Sequence, residues 1–152
     1  MIEIERKFLI DTSIWKPTYG GVKIIQGYLS TDKERVVRVR IKGESAWLTI
    51  KGKSEGISRI EMEYEIPIQD AEVLLGLCKD YPVSKIRYVE KIKGKTWEID
   101  VFEGSNQGLV LAEVELLAEN EEFELPPWVT KEVSADYRYF NAWLSAHPYS
   151  EW

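Results

Sequence analysis

The chain opens on "MIEIERKFLI", in which Glu3, Glu5 and Lys7 alternate with Ile2, Ile4 and Arg6. In an extended strand, residues two apart project to the same side. The spacing recurs in Arg38 and Arg40, in Arg59, Glu61 and Glu63, in Lys85 and Arg87, in Glu98 and Asp100, and in Glu113 and Glu115, while Lys51 ends another such stretch. Carboxylate oxygens are the ligands that Mg²⁺ and Mn²⁺ prefer. Arg forks grip phosphate oxygens bidentately, and Lys adds a point charge. Crowded carboxylates raise one another's pKa, a penalty that a divalent cation removes. Together the two sets call for a polyphosphate chain with bound metal, the equipment of phosphoryl transfer.

These side chains need elements that hold them on one face. Period-2 patterning predicts strands over 2–10, 22–30, 35–42, 45–51, 57–66, 83–92, 95–103 and 109–118. Turn signals separate several of them: "KGES", "KGKSEG", "KGK" and "EGSNQG". Such short links favour antiparallel neighbours. Two helices are expected. One spans 69–80, with Asp70 as N-cap and Val73, Leu74 and Leu77 on its apolar stripe. The other spans 134–147, starts with Ser134 as cap and carries Tyr139, Phe140, Trp143 and Leu144, after an extended "LPPW" link. The expectation is a mainly β (α+β) fold, one domain over 1–152, in which the strands form a barrel or a strongly curved sheet.

A solvated sheet face explains alternation in any single strand. Here the signs are sorted by strand: basic in "RVR" and "KIR", acidic in "EIE", "EME", "EID" and "EVE". The apolar residues hold the opposite parity. A sheet closed with its charged face inward would enclose a polar tunnel.

Composition narrows the function classes. The net charge of −6 implies no broad basic surface for nucleic acid. The aromatics fall mostly on the apolar parity or near the C-terminus, against a single-strand nucleic-acid binder. Cys78 is the one cysteine, which fits a reducing cytosol. The charged N-terminus is unlike a signal peptide, and no apolar run is long enough to span a membrane as a helix. His147 is the one histidine, which argues against a His-based zinc site or a Ser-His-Asp triad. "GKS" at 52–54 imitates the end of a P-loop, but Trp47 stands where that motif needs glycine, so it reads as a hairpin turn.

With these residues in view, the sequence resembles the CYTH superfamily, the triphosphate tunnel metalloenzymes. "EIERK" is similar to the ExExK signature. The likeness continues in order through "RVR", "TIKG", "SRIEME", "KIRY", "EIDVF", "EVE" and "DYRYFN". It implies an eight-stranded antiparallel closed barrel with helices packed outside, holding a triphosphate and one or two Mg²⁺ or Mn²⁺ ions. By the same resemblance Glu3, Glu5, Glu113 and Glu115 would ligate metal. Glu61, Glu63 and Asp100 would hold a second ion or orient water. Lys7, Arg38, Arg40, Lys51, Arg59, Lys85 and Arg87 would grip phosphate, and Arg138 would reach the tunnel mouth. Glu63, Asp100, Lys85 and Arg59 would stand nearest the chemistry. Tyr28 would hydrogen-bond near Lys7 or simply pack as an amphipathic aromatic.

The superfamily includes inorganic, thiamine and RNA triphosphatases and one class of adenylyl cyclase. The short chain favours hydrolysis of tripolyphosphate to pyrophosphate and phosphate, with slower cleavage of nucleoside triphosphates. Adenylyl cyclase and thiamine triphosphatase are the alternatives within the family. A non-catalytic polyphosphate- or nucleotide-binding barrel is the alternative outside enzymes. The expected setting is cytoplasmic, without nucleic acid or membrane, as a monomer or homodimer.

Overall fold

The computed structural model describes residues 1–17 and 19–152. Eight strands close a ring: β1 (Ile2–Ile10), β2 (Val22–Asp32), β3 (Arg35–Lys42), β4 (Ser45–Gly52), β5 (Ser58–Ile66), β6 (Val83–Ile92), β7 (Lys95–Phe102) and β8 (Val110–Glu115). The order around the ring is β5-β4-β3-β2-β6-β7-β8-β1, closed by pairing of β1 with β5. Every pairing is antiparallel, so the expected barrel is present.

The closing seam is short. Only Ile2, Ile4 and Glu3 of β1 meet Ile60, Ser58 and Arg59 of β5. Further along, the same edge of β1 is completed by β9 (Val129–Glu132), which pairs with Phe8, Leu9 and Ile10. Between them the Glu5 amide donates to the Ile57 carbonyl, and the Lys7 amide donates to the Ser134 hydroxyl. Among the described residues, no strand pairs with that edge of β5 beyond Glu61, and the wall is split there. The ninth strand is a feature that the sequence pattern did not signal. Its four residues follow two prolines and show no alternation of their own.

The outward faces carry most of the hydrophobic core. Phe8, Trp15, Trp97, Ile99, Ala112, Val114, Leu116 and Trp128 form one buried cluster outside β1, β7 and β8. On the far side α1 (Ile68–Gly76) lays Ala71, Leu74 and Leu75 on Val39 and Ala46. This helix departs from expectation in three ways. It starts after Pro67 with no side-chain cap, so Asp70 lies in its first turn. It ends at Gly76, where the Leu77 and Cys78 amides tighten onto the Leu74 and Leu75 carbonyls. Val73 and Leu77 are 66% and 67% exposed, so the buried stripe runs through Ala71, Leu74 and Leu75 instead.

Close approach of α1 to β2 depends on Gly27. A Cβ there would lie 2.7 Å from Cys78 Sγ and 3.1 Å from Leu75 Cδ2. Gly27→Ala is expected to lower stability by about 1–3 kcal/mol in urea unfolding, as overpacked sites do. Adding Cys78→Ala should recover part of that loss; no recovery would mean that the sulfur is not the obstacle.

The expected helix over 134–147 is broken. A 3₁₀ turn occupies Tyr137–Tyr139, Phe140 is extended with ψ 134°, and α2 covers only Asn141–Ala146. The Tyr139 carbonyl accepts from Lys7 Nζ at 3.0 Å. Ser134 caps no helix, since its hydroxyl serves the Lys7 amide and Glu132. Moreover α2 does not lie outside the barrel with α1. Leu144 packs with Leu109, just before β8, and with Val83, Phe102 and Leu111, which have the inward parity of their strands, and fills one end of the ring.

A charged tunnel as the candidate active site

Alternation and register decide what lines the remaining lumen. Facing strands place Lys7 opposite Glu113, and Glu113 opposite Glu98, while Glu5 stands opposite Glu115. Two of these three cross-strand pairs join like charges, an arrangement that costs stability unless something positive lies between. On the other wall Arg38 and Arg40 stand opposite Tyr28 and Gln26. The structure thus brings Glu3, Glu5, Lys7, Arg38, Arg40, Lys51, Lys85, Arg87, Asp100, Glu113 and Glu115 to one inward face.

The basic end is built around Asp100, 1% exposed, on β7. Arg87 donates from Nε to Oδ1 at 2.7 Å and from Nη2 to Oδ2 at 2.9 Å. Lys85 Nζ lies 2.7 Å from Oδ2. Burial alone would raise the Asp100 pKa, but Lys85 and Arg87 outweigh it and hold the group well below the usual carboxylate range. The same pairing raises the Arg87 pKa despite burial. Two cations share one carboxylate, which leaves Lys85 as the surplus charge. Burial first, then the nearby Arg87 and Arg40, offset its attraction to Asp100 and bring its pKa down to about 7. Both Asp100 oxygens are thus engaged by Lys85 and Arg87, so in this structure Asp100 is the counter-ion of the basic wall.

Other carboxylates are also engaged. Lys51 Nζ bridges Glu3 at 2.9 Å and Glu61 at 3.2 Å. Despite burial, Lys51 lowers the Glu3 pKa. Partial burial and the neighbouring Glu3 carboxyl shift the half-buried Glu61 up. Glu63 accepts from Thr49 at 2.9 Å and lies 3.5 Å from Arg38. Burial raises the Glu113 pKa, but Lys7 at 3.7 Å, with Arg87 and Lys85, outweighs it and lowers the value to about 2.

Among the described residues, Glu5 and Glu115 make no ion pair. Burial, then Glu113 and Glu3, push the Glu5 carboxyl well above its usual value. Glu115, exposed at the end of β8, is also shifted up, by partial desolvation and then by Glu3 and Glu98. These two face each other across β1 and β8, next to Glu3, Glu98 and Glu113. No three acidic side chains among the described residues already converge on one point. The donor chemistry nevertheless fits a hard divalent cation: oxygen ligands only, held at unfavourable ionisation by mutual repulsion.

The positive charge left over on the other wall is that of Arg40. Its Nε donates to Gln26 Oε1 at 2.9 Å, and among the described residues it has no carboxylate partner. Burial, then Arg38 and Arg87, lower its pKa to about 10. Arg38 has a second unmet demand, since its buried Nε has no hydrogen-bond partner. A buried guanidinium without its bonds calls for an anion.

Two expected residues stand apart from this group. Arg59 turns its guanidinium onto the Gly52 carbonyl at 3.0 and 3.2 Å, at the β1–β5 seam. Arg138 is exposed, paired with Asp136 at 2.7 Å and stacked over Tyr139 and Trp152. Tyr28 bonds the Gln26 amide at 2.9 Å and does not bond Lys7. Sequence reasoning put Glu98 on the charged face but gave it no role; it meets Glu113 and pairs with Arg87 at 3.0 Å. Its shared parity with Asp100 in "EID" was the signal. Gln26, Thr49 and Asn141 were passed over, because a lone neutral polar residue carries no pattern.

The CYTH domain family matches residues 1–142. An inorganic triphosphatase of Acetivibrio thermocellus is 47% identical over 148 residues, covering 97% of this chain and 95% of that protein. One from Nitrosomonas europaea is 38% identical over 149 residues, covering 95% and 97%. The solved inorganic triphosphatase NE1496 is similar with a TM-score of 0.68 and 35% identity, over 94% of this chain and 93% of that one. A putative adenylyl cyclase from Hippeastrum, described as having dominant triphosphatase activity, shares the fold at a TM-score of 0.58 and 15% identity, over 76% and 80%. With both the domain match and these identities spanning nearly its full length, the chain belongs to the CYTH family.

Proposed function

We propose that this protein is an inorganic triphosphatase, a phosphoanhydride hydrolase that cleaves tripolyphosphate to pyrophosphate and phosphate with Mg²⁺ or Mn²⁺. The observation that carries the reading is one lumen with two unmet charges. Glu5 and Glu115 lack a cation, while Arg40 and the Arg38 Nε lack an anion. A phosphate chain with bound metal satisfies both. The extensive likeness to relatives named inorganic triphosphatases supports the same substrate.

Glu5 and Glu115, with Glu3, Glu113 and Glu98 beside them, would hold the ion. A divalent cation bound there supplies charge neutralisation and an activated water. Arg38, Arg40 and Lys7 would grip the phosphate oxygens, with Lys51 and Arg59 nearer the seam. Asp100 keeps the Arg87 guanidinium and the Lys85 amine aimed along the basic wall. Lys85, with its pKa near 7, can hold or release a proton at Nζ beside the phosphates. Glu63, half exposed beside the split in the wall, would orient water. Cys78 as a free thiol suits the cytosol.

The test incubates purified protein with tripolyphosphate, ATP and thiamine triphosphate, each with Mg²⁺, Mn²⁺ or EDTA. The expected result is phosphate release, fastest from tripolyphosphate and abolished by EDTA. Cyclic AMP and pyrophosphate from ATP would overturn the hydrolase reading, and binding of all three without turnover would leave a sensor.

A further inference from the structure

Two neutral amides sit between the cations of the basic wall. Gln26 on β2 is fully buried. Its Oε1 accepts from Arg40 Nε at 2.9 Å. Its Nε2 donates to the Tyr28 hydroxyl at 2.9 Å and to Asn141 Oδ1 at 3.3 Å. The same Asn141 oxygen, on the first residue of α2, accepts from Lys85 Nζ at 2.9 Å. A continuous chain therefore runs Arg40–Gln26–Asn141–Lys85–Asp100–Arg87. Only Asp100 in it carries negative charge.

We infer that Gln26 and Asn141 are a positioning pair for the anion: they hold Arg40 and Lys85 in place by hydrogen bonds without neutralising them. A carboxylate at either position would hold the cation equally well, yet would compete with phosphate for its charge. An apolar residue would leave the charge free, yet would let the long side chain wander. An amide oxygen meets both needs, since it accepts a hydrogen bond and has no net charge. The pair also ties the C-terminal helix to both β2 and β6, so the segment that fills the barrel end sets the reach of two cations. This inference rests on the triphosphatase reading for its substrate.

The test compares the full chain with Gln26→Glu, Asn141→Asp and Gln26→Met. Affinity for tripolyphosphate, pyrophosphate and ATP is measured calorimetrically in EDTA, alongside kcat, KM and Tm. Gln26→Glu and Asn141→Asp keep shape and hydrogen bonds but add charge. Each is expected to weaken metal-free anion binding at least tenfold and to raise KM, with kcat less affected. Gln26→Met removes the bonds and adds no charge, so it is expected to lower kcat more than it raises KM. These splits separate the pair from a merely structural role, which would move Tm and leave anion affinity intact in the folded fraction. If Gln26→Glu does not fold, Asn141→Asp, on a half-buried residue, decides the question. Wild-type anion affinity in both acidic variants, or in Asn141→Asp where that alone folds, would overturn the inference. Binding of pyrophosphate and ATP without turnover of tripolyphosphate would overturn the triphosphatase reading and leave the pair to be judged on those two anions. No binding of any of the three in EDTA would overturn the inference, while the triphosphatase reading is judged by turnover with metal.

Discussion

Glu5→Gln is expected to lower kcat/KM at least roughly 100-fold, since even groups that only support a metal ligand cost 10–100-fold when lost. The same change should raise the Tm of metal-free protein. The folded-state pKa of Glu5 lies well above the ordinary 4.5, because of burial and of Glu113 and Glu3. A raised carboxyl pKa means that the folded state favours the protonated form. Its contribution is present below pH 4.5 and is lost as pH rises through the folded value. Glutamine imitates that protonated form at every pH. Wild-type protein should therefore gain Tm on adding Mg²⁺ or Mn²⁺, by preferential binding to the folded state. Glu5→Gln should start higher and gain less. Thermal unfolding with metal and with EDTA reads both effects. A variant with full metal-dependent activity and an undiminished metal-induced rise would remove Glu5 from the metal site.

Asp100→Asn should fail for the opposite reason. It leaves Lys85 and Arg87 buried, with their shared counter-charge gone. Removing one partner of a buried ion pair costs about 3–5 kcal/mol. The sign with pH is also opposite to that of Glu5. The Asp100 pKa is held below the ordinary 3.8 in the folded state, so its stabilisation is present above pH 3.8 and is lost as pH falls through the folded value. Urea unfolding at pH 7 should show the full loss, and the difference from wild type should shrink in acid. Metal is expected still to raise the Tm of the folded variant, since both Asp100 oxygens are engaged by Lys85 and Arg87. Near-normal stability with no metal-induced rise would instead make Asp100 a ligand.

The contrast between these two carboxylates marks the limit of reading parity alone. Glu5 and Asp100 have the same sequence signature, a carboxylate two residues after another one in a strand, Glu3 before Glu5 and Glu98 before Asp100. Parity places both in the lumen. Whether each meets a cation depends on strand order and register. Asp100 lies opposite Arg87 on β6, whereas Glu5 lies opposite Glu115 on β8. Similarly, Arg138 and Arg59 carried the right charge, yet one pairs with Asp136 in solvent and the other turns onto Gly52. The expected helix over 134–147 had the right apolar residues. It breaks at Phe140 because the chain must bring Tyr139 to Lys7 and Asn141 to Lys85. Helical periodicity cannot report such a demand, which comes from residues more than fifty positions away.

The sequence by itself determined the ring of strands, the inward face of each and the family. The strands and their faces follow from alternation within a few residues and from turns that leave antiparallel neighbours as the short connection, whereas closure into a ring and the family are what the resemblance of the ordered motifs implies. Only the tertiary structure decided which charges are spent on one another and which are left for a ligand. It also decided that α2 fills one barrel end, that β9 completes the edge of β1, and that two amides stand among the cations. The physical reason is range: a side chain's direction is set by its own strand, but its electrostatic balance is set by strands far away in sequence that register brings opposite to it.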